Sequence, residues 1–150
     1  MPIPFKYSTK LWRIMNDHDE LLEFLLRKVE ETGIGAGITL CLNGSIITGN
    51  LVKSKIYYDK MIEMYDFDNS QLTAKNQDEL DKWNGYYSEY VVFINELKKQ
   101  EDPQNLKYIH LEHVTFRNVN SNILTQAIVW RGKLSSIDGF SIGISTNSLL

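Results

Sequence analysis

An asparagine–glycine pair between two apolar segments constrains the fold of this chain more than any other feature. The pair is Asn43-Gly44, within residues 38–52. A two-residue type I′ turn requires positive φ at both central positions, which these residue types tolerate best. The sequence therefore predicts a β-hairpin in which Leu42 lies opposite Ser45. One face of the hairpin is then apolar and must be covered by another element, since it carries Ile38, Leu40, Leu42 and Ile47.

Hydrophobic periodicity predicts three helices around the hairpin. An amphipathic helix precedes it and ends at Gly33, because apolar residues recur there at three- and four-residue spacing. After the hairpin, Ser54 and Asn76 are predicted to cap two further helices, the second of which ends before a proline. These two helices form an insertion over about residues 54–102.

Five strands are predicted in all, two in the hairpin and three after the helical insertion. Gly49 interrupts the second strand, and a glycine at such a position commonly marks a bulge or bend that curls a sheet. The apolar residues of the third strand change parity, which indicates two-sided burial or a bulge near His113. Short, curved strands with added helices favour an α+β fold built on a small closed or partly open β-barrel. Residues 1–150 are expected to form a single domain.

Composition limits the compartments and partners that this chain can have. No apolar run approaches the roughly 20 residues needed to cross a bilayer, and the N-terminal residues lack the apolar core of a signal peptide. Cys41 is the only cysteine, and its place in a predicted strand favours a packed, reduced thiol. We expect a cytoplasmic protein without membrane insertion. The net charge of −3 disfavours a broad polyanion-binding surface.

The spacing of reactive residues indicates neither a metal centre nor a catalytic site. His110 and His113 lie three apart on a predicted strand and point to opposite faces, so they cannot easily share an ion. Glu112 shares a face with His110, and such a pair is more often hydrogen-bonded than metal-binding. Cys41 has no neighbouring cation that would activate its thiol, and no nucleophile elbow or phosphate-binding glycine loop is present. We therefore expect no enzymatic activity, no metal and no cofactor.

Aromatic residues are dense in the second inserted helix. Trp83, Tyr87 and Tyr90 fall at helical spacing, with further aromatic residues among them. One interpretation is a core helix whose rings are buried within the domain. The other is a surface for self-association into a homo-oligomer, because tryptophan and tyrosine are enriched in protein contact patches. Spacing alone does not separate these two interpretations.

A second candidate site follows the fourth predicted strand. Trp130 is predicted to anchor the end of the barrel, and Gly132 to end the strand in a tight turn. Arg131 and Lys133 are then expected to project at the rim of the barrel, beside Asp138. This segment is either a structural closure of the barrel or a rim that binds a partner or ligand.

The two halves of the predicted barrel resemble the Sm-like small barrels. The resemblance lies in the hairpin of residues 38–52 and in the strand of residues 128–132, which ends in Arg-Gly. It implies a small Sm-like or SH3-like barrel, and the loops of that family line an RNA-binding ring. On this resemblance the chain would bind RNA or a small nucleotide through Arg131, Lys133 and nearby tyrosines, or would be a phage protein that sequesters a small ligand.

A closer resemblance, which covers most of the chain, is to the gas vesicle accessory protein GvpU family. It includes residues 21–24, the hairpin, residues 54–58 and residues 109–111. The most specific part is the run at positions 130–140, Trp-Arg-Gly-Lys-Leu-Ser-x-Ile-Asp-Gly-Phe. The resemblance implies a cytoplasmic, non-enzymatic accessory protein that associates with itself and with gas vesicles and promotes their clustering.

Overall fold

A computed structural model of the chain describes residues 18–70, 76–118, 120, 121 and 123–143. Its class is α+β, as predicted, with three α-helices and five strands in those ranges. In chain order the elements are α1 (Glu20–Thr32), β1 (Gly37–Leu42), β2 (Ser45–Leu51), α2 (Ser54–Ser70), α3 (Gln77–Gln100), β3 (Tyr108–Asn118), β4 (Leu124–Lys133), a 3-10 turn (Leu134–Ser136) and β5 (Gly139–Ile142).

The five strands form one antiparallel sheet in the order β4-β3-β2-β1-β5. Within the described ranges β4 pairs only with β3 and β5 only with β1, so the sheet is open. Of the two forms that the sequence allowed, the closed barrel is wrong, and the Sm-like barrel is not confirmed. Closure would require β4 and β5 to pair with each other. β5 has only 4 residues and is already bonded to β1, so it offers few backbone groups for a second partner.

The predicted hairpin is confirmed in turn type and in register. Asn43 has φ 48° and Gly44 has φ 76°, the positive values that a type I′ turn requires. Leu42 lies opposite Ser45, and Leu40 lies opposite Ile47. Cys41 points to the other face and is exposed, so the expectation of a packed thiol is wrong. The alternation of the strand, rather than its apolar character, decides where the thiol lies.

The predicted irregularities at Gly49 and near His113 are confirmed, and both belong to one bulge between β2 and β3. The register between β2 and β3 shifts at Gly49, which lies between Thr48 and Asn50, and His113 has φ 51°. A Cβ atom at Gly49 would lie 3.0 Å from the carbonyl oxygen of Glu112, so the two backbones approach closely there. This bulge reverses the alternation of β3 and explains the change of parity in its sequence.

The hydrophobic core lies between α1 and one face of the sheet. Asp19 caps α1 by accepting hydrogen bonds from the N–H groups of Leu21 and Leu22, and Gly33 ends the helix at φ 73°. The bulge allows residues on both sides of it to face this core. The fully buried members of the core include Leu22, Ile38, Leu40, Ile109, Leu111, Val114 and Leu134.

The opposite face of the sheet is covered in part by the helix pair α2–α3. α2 contacts β3 and β4 near its N-terminal end, and α3 packs along α2. Only Ile94 of α3 is buried among the described residues of that helix. The helix pair therefore meets the sheet at one end and is largely exposed over the rest of its length.

Candidate functional site

A layer of aromatic and charged side chains lies where the start of α2 meets the sheet. His110 of β3 is directly opposite Arg131 of β4 in the register. The ring centroid of His110 is 4.9 Å from that of Tyr57 and 5.6 Å from that of Tyr58. His110 is only 4% exposed and Tyr58 only 1%. We call this group, with Tyr108, Glu101 and Glu30, the hinge cluster, because it joins the helix pair to the sheet.

The guanidinium of Arg131 is held against tyrosine rings. Its Cζ atom lies 3.5 Å from the ring centroid of Tyr108 and 5.7 Å from that of Tyr58, within the range of cation–π attraction. Its Nε is buried and has no hydrogen-bond partner in the described part of the chain. Arg131 is therefore positioned by ring packing rather than by a short ion pair.

Two carboxylates connect the three helices at the hinge cluster. The Tyr58 hydroxyl donates a hydrogen bond to Oε1 of Glu101, just after the end of α3, at 2.9 Å. The carboxylate of Glu30, on α1, accepts hydrogen bonds from the backbone N–H of Ser54 at 2.6 Å and from its hydroxyl at 3.2 Å. Glu30 thus satisfies a free N–H group at the start of α2, from a different helix. The first contact joins α2 to the end of α3, and the second joins α2 to α1.

Burial controls the ionisation of the hinge cluster. It raises the pKa of the Glu101 carboxyl, and the nearby Glu30 adds to the increase, whereas the Tyr58 hydrogen bond and Arg131 oppose it. Burial also raises the pKa of the Tyr58 hydroxyl. For His110, burial and, to a smaller extent, the nearby Arg131 together lower the pKa to about 3. The imidazole is therefore neutral at pH 7.

A cleft of about 360 Å³ opens beside the hinge cluster, between the end of α3 and the start of β3. Two cations, Arg131 and Lys107, and two carboxylates, Glu101 and Asp102, line it. Its remaining lining residues are Tyr58, Leu97, Gln100, Asn105 and Tyr108. The lining holds no pair of nucleophile and base. It can hold a charged group of a partner against rings and opposite charges.

Removing the Tyr58 hydroxyl should lower the free energy of unfolding by about 2 kcal/mol, because Glu101 then loses its donor while remaining half-buried. The variant is Tyr58→Phe, and the measurement is urea unfolding followed by circular dichroism. Tyr86→Phe is the matched control, since Tyr86 lies on an exposed face of α3 and should change stability by less than about 0.5 kcal/mol. Equal effects of the two variants would contradict the role given to the Tyr58–Glu101 contact.

The structure separates the four residues predicted at the rim. Trp130 packs against the core, with its ring 6.4 Å from that of Phe116. The Asp138 carboxylate accepts a hydrogen bond from the backbone N–H of Asn43 at 2.8 Å, so it supports the hairpin turn. Lys133 is exposed at the end of β4, and Arg131 lines the cleft.

Gly132 does not end β4 in a tight turn, as the sequence had suggested. It lies within the strand, paired with Ile109. A Cβ atom at this position would lie 2.2 Å from Cη2 of Trp130. The glycine is therefore needed for the Trp130 ring to lie flat across the strand, and the run at positions 130–133 alternates between core and outer face.

The three aromatic residues predicted for self-association are half-buried within the helix pair. The rings of Trp83 and Tyr87 stack at 5.3 Å, and Tyr65 of α2 stacks on Tyr90 at 4.4 Å. The Tyr90 hydroxyl also donates to the carbonyl oxygen of Met61 at 3.0 Å. These contacts hold α2 and α3 together, and a direct role of the three rings in self-association stays a prediction.

The model of the family described as gas vesicle protein GvpU-like matches residues 19–145. The chain belongs to this family. The matched range contains every described helix and strand of this chain. No curated protein and no solved structure matches the chain.

Two further observations bear on the chemistry of this GvpU-like chain. Within the described ranges, no three His, Cys, Asp or Glu side chains lie close enough together to hold a metal ion. None of the described helices combines the length and the apolar content needed to cross a bilayer. Sequence reasoning identified Arg131 but not its neighbours Tyr58, Tyr108 and Glu101, whose positions depend on tertiary packing.

Proposed function

We propose that this chain is a non-enzymatic accessory protein that associates with itself, binds a protein partner on gas vesicles and promotes their clustering in the cytoplasm. The observation that carries this proposal is its membership of the GvpU-like family over residues 19–145. Clustering of large particles requires each bridge to make at least two contacts, one with each particle. A protein that both binds a vesicle and pairs with itself meets that requirement.

The charge distribution supports two distinct surfaces for these contacts. Residues 54–100, which include the helix pair, carry nine acidic and six basic side chains. Residues 107–133, which include β3 and β4, carry four basic side chains and one acidic side chain. Opposite charge at two ends of one molecule allows each end to select a different partner surface.

We assign vesicle binding to the basic end of the molecule, which is the part that contains β3 and β4. Lys133 is exposed at the end of β4, and Lys107 and Arg131 line the cleft. Together they form a surface that fits a partner with exposed carboxylates. The tyrosines of the cleft add flat contact area beside these cations.

Recognition of RNA or a nucleotide is the alternative, because Arg131 and Lys107 lie beside Tyr108 in the cleft. Glu101 and Asp102 line the same cleft and would weaken the binding of a phosphate group and of a partner's carboxylate alike, so the lining does not decide between the two. We place the protein partner first because the chain belongs to the GvpU-like family.

Charge reversal at the basic end should release the protein from gas vesicles. We expect purified protein to float with purified gas vesicles on centrifugation, and the double variant Lys107→Glu, Lys133→Glu to float at least about tenfold less, since its charge then repels an acidic partner. The fraction of protein in the floating layer is the measurement. Lys55→Glu is the control, because this exposed lysine lies on α2 and is not among the residues that line the cleft.

Two results would contradict this proposal. One is wild-type protein that stays in the lower layer at every protein concentration tested. The other is tight binding of short RNA that weakens steeply with salt, together with no flotation, which would favour the RNA alternative.

A further inference from the structure

The exposed surface of α3 carries large apolar side chains. Tyr86, Val92 and Phe93 are 62%, 63% and 62% exposed. Tyr86 and Phe93 share one flank of the helix, beside the row of Tyr87 and Tyr90 that stacks on Tyr65 of α2, whereas Val92 lies on the side away from that row. We call the flank that carries Tyr86 and Phe93 the outer face of α3. Two large apolar side chains at this exposure make an unusually apolar surface for solvent contact.

Along the outer face of α3, the charges are ordered so that the row is complementary to an antiparallel copy of itself. Lys82, Tyr86, Glu89, Phe93 and Glu96 recur at alternating four- and three-residue spacing and therefore form one row. Read backwards, the row begins with a carboxylate and ends with an amine. An antiparallel copy of the same helix would place Lys82 near Glu96 and Tyr86 near Phe93, twice each.

We infer that the outer face of α3 pairs with the same face of a second copy, as two antiparallel helices related by a two-fold axis. The inference rests on the self-association in the proposed function and names the surface that carries it. Lys82 and Glu96 are separated by about 21 Å along the helix, so the two ion pairs flank the aromatic residues at both ends of the contact. A two-fold interface uses the same surface on both subunits and is complete with two copies. The row of residues on the outer face fits this arrangement, because it is complementary to itself.

The centre of the row contains one unfavourable element. Glu89 lies midway between Tyr86 and Phe93, so a two-fold axis brings it close to Glu89 of the second copy. Like charges at this distance weaken the pairing. The contact is therefore of limited affinity, and removing the charge strengthens it. This dependence distinguishes a two-fold arrangement from non-specific adhesion of the apolar side chains, and the pairing of Lys82 with Glu96 distinguishes the antiparallel arrangement from the parallel one.

Charge reversal with rescue tests the inference. Sedimentation equilibrium of the full chain, over a wide range of concentrations, should show a dimer for the wild type. Lys82→Glu and Glu96→Lys should each raise the dimer Kd about tenfold, because each creates two like-charge contacts. An equimolar mixture of the two variants should recover the wild-type Kd, since the mixed dimer again contains two ion pairs, one in the original order and one reversed. Glu89→Gln should lower the Kd.

Ile142→Ser is the control for loss of exposed apolar surface, because Ile142 is 59% exposed on β5 and should leave the Kd unchanged. Tyr86→Ser should raise it. The inference is overturned if the wild type is a monomer throughout, or if the mixture pairs no better than either variant alone. If the charge variants have the wild-type dimer Kd and still float with gas vesicles, the outer face is not the dimer contact, and the proposed function still stands. A monomer whose Phe93→Ser variant no longer floats would show that the outer face contacts the vesicle instead.

Discussion

Replacing Gly132 with alanine should lower the free energy of unfolding by about 3 kcal/mol, because the new methyl group overlaps a packed ring. The Cβ atom would lie 2.2 Å from Cη2 and 2.7 Å from Cζ2 of Trp130. The ring cannot move aside freely, since it packs on the core and against Phe116. Chemical denaturation at neutral pH, followed by circular dichroism, measures the loss.

Two further variants show whether the Trp130 ring is the cause. Gly139→Ala should be nearly neutral, because a Cβ atom at this other edge-strand glycine meets nothing within 4 Å. The second test is a double variant that carries Trp130→Leu and Gly132→Ala. It should be no less stable than Trp130→Leu alone, because the overlap is already gone. A neutral Gly132→Ala variant would show that the ring does not lie across this glycine.

The run at positions 130–133 therefore combines structural and surface roles, residue by residue. Trp130 and Gly132 fit together on the core side, whereas Arg131 and Lys133 belong to the outer side of the same strand. The structural interpretation of this run fits Trp130 and Gly132, whereas partner binding by Arg131 and Lys133 stays a prediction. Stability measurements on Gly132 and flotation measurements on Lys133 thus report on different properties of one short segment.

Local chemistry made the hairpin predictable in detail. The positive φ of Asn43 and Gly44 fixes the turn type, and the turn type fixes every pair along β1 and β2. The change of parity in β3 also marked the bulge at His113 correctly. Each of these predictions depends on residues close in sequence or directly opposite in a ladder.

The hinge cluster could not be predicted in the same way. Tyr58 and Glu101 are 43 residues apart and meet only because α2 and α3 pack together at the sheet. In a sequence, a glycine such as Gly132 is equally compatible with a turn, a bulge or the close approach of another group. Here the close approach of the Trp130 ring is the reason, and only the structure shows it. For α3, apolar spacing on several sides does not reveal which side meets α2. The openness of the sheet depends on the short β5, whose length the sequence does not define sharply.

Lowering the pH from 7 to about 5 should reduce the free energy of unfolding by about 2 kcal/mol through His110 alone. The folded-state pKa of this residue is lowered to about 3, from an ordinary value of 6.5. Below pH 6.5 the unfolded chain therefore binds a proton that the folded protein excludes, so stability falls as the pH decreases towards 3. The pKa of Glu101 is raised, and this opposes the loss at acidic pH.

A comparison of variants isolates the contribution of His110 from that of Glu101 and other carboxylates. Urea unfolding of wild type and His110→Leu at pH 7 and pH 5 should show a smaller pH dependence in the variant, by about 2 kcal/mol. His113→Asn is the matched control, because His113 is exposed and its backbone conformation suits asparagine. If His110→Leu and wild type lose the same stability, the imidazole is accessible to protons in the folded state. The helix pair would then have to separate from the sheet at acidic pH, since Tyr57 and Tyr58 are the rings that cover His110.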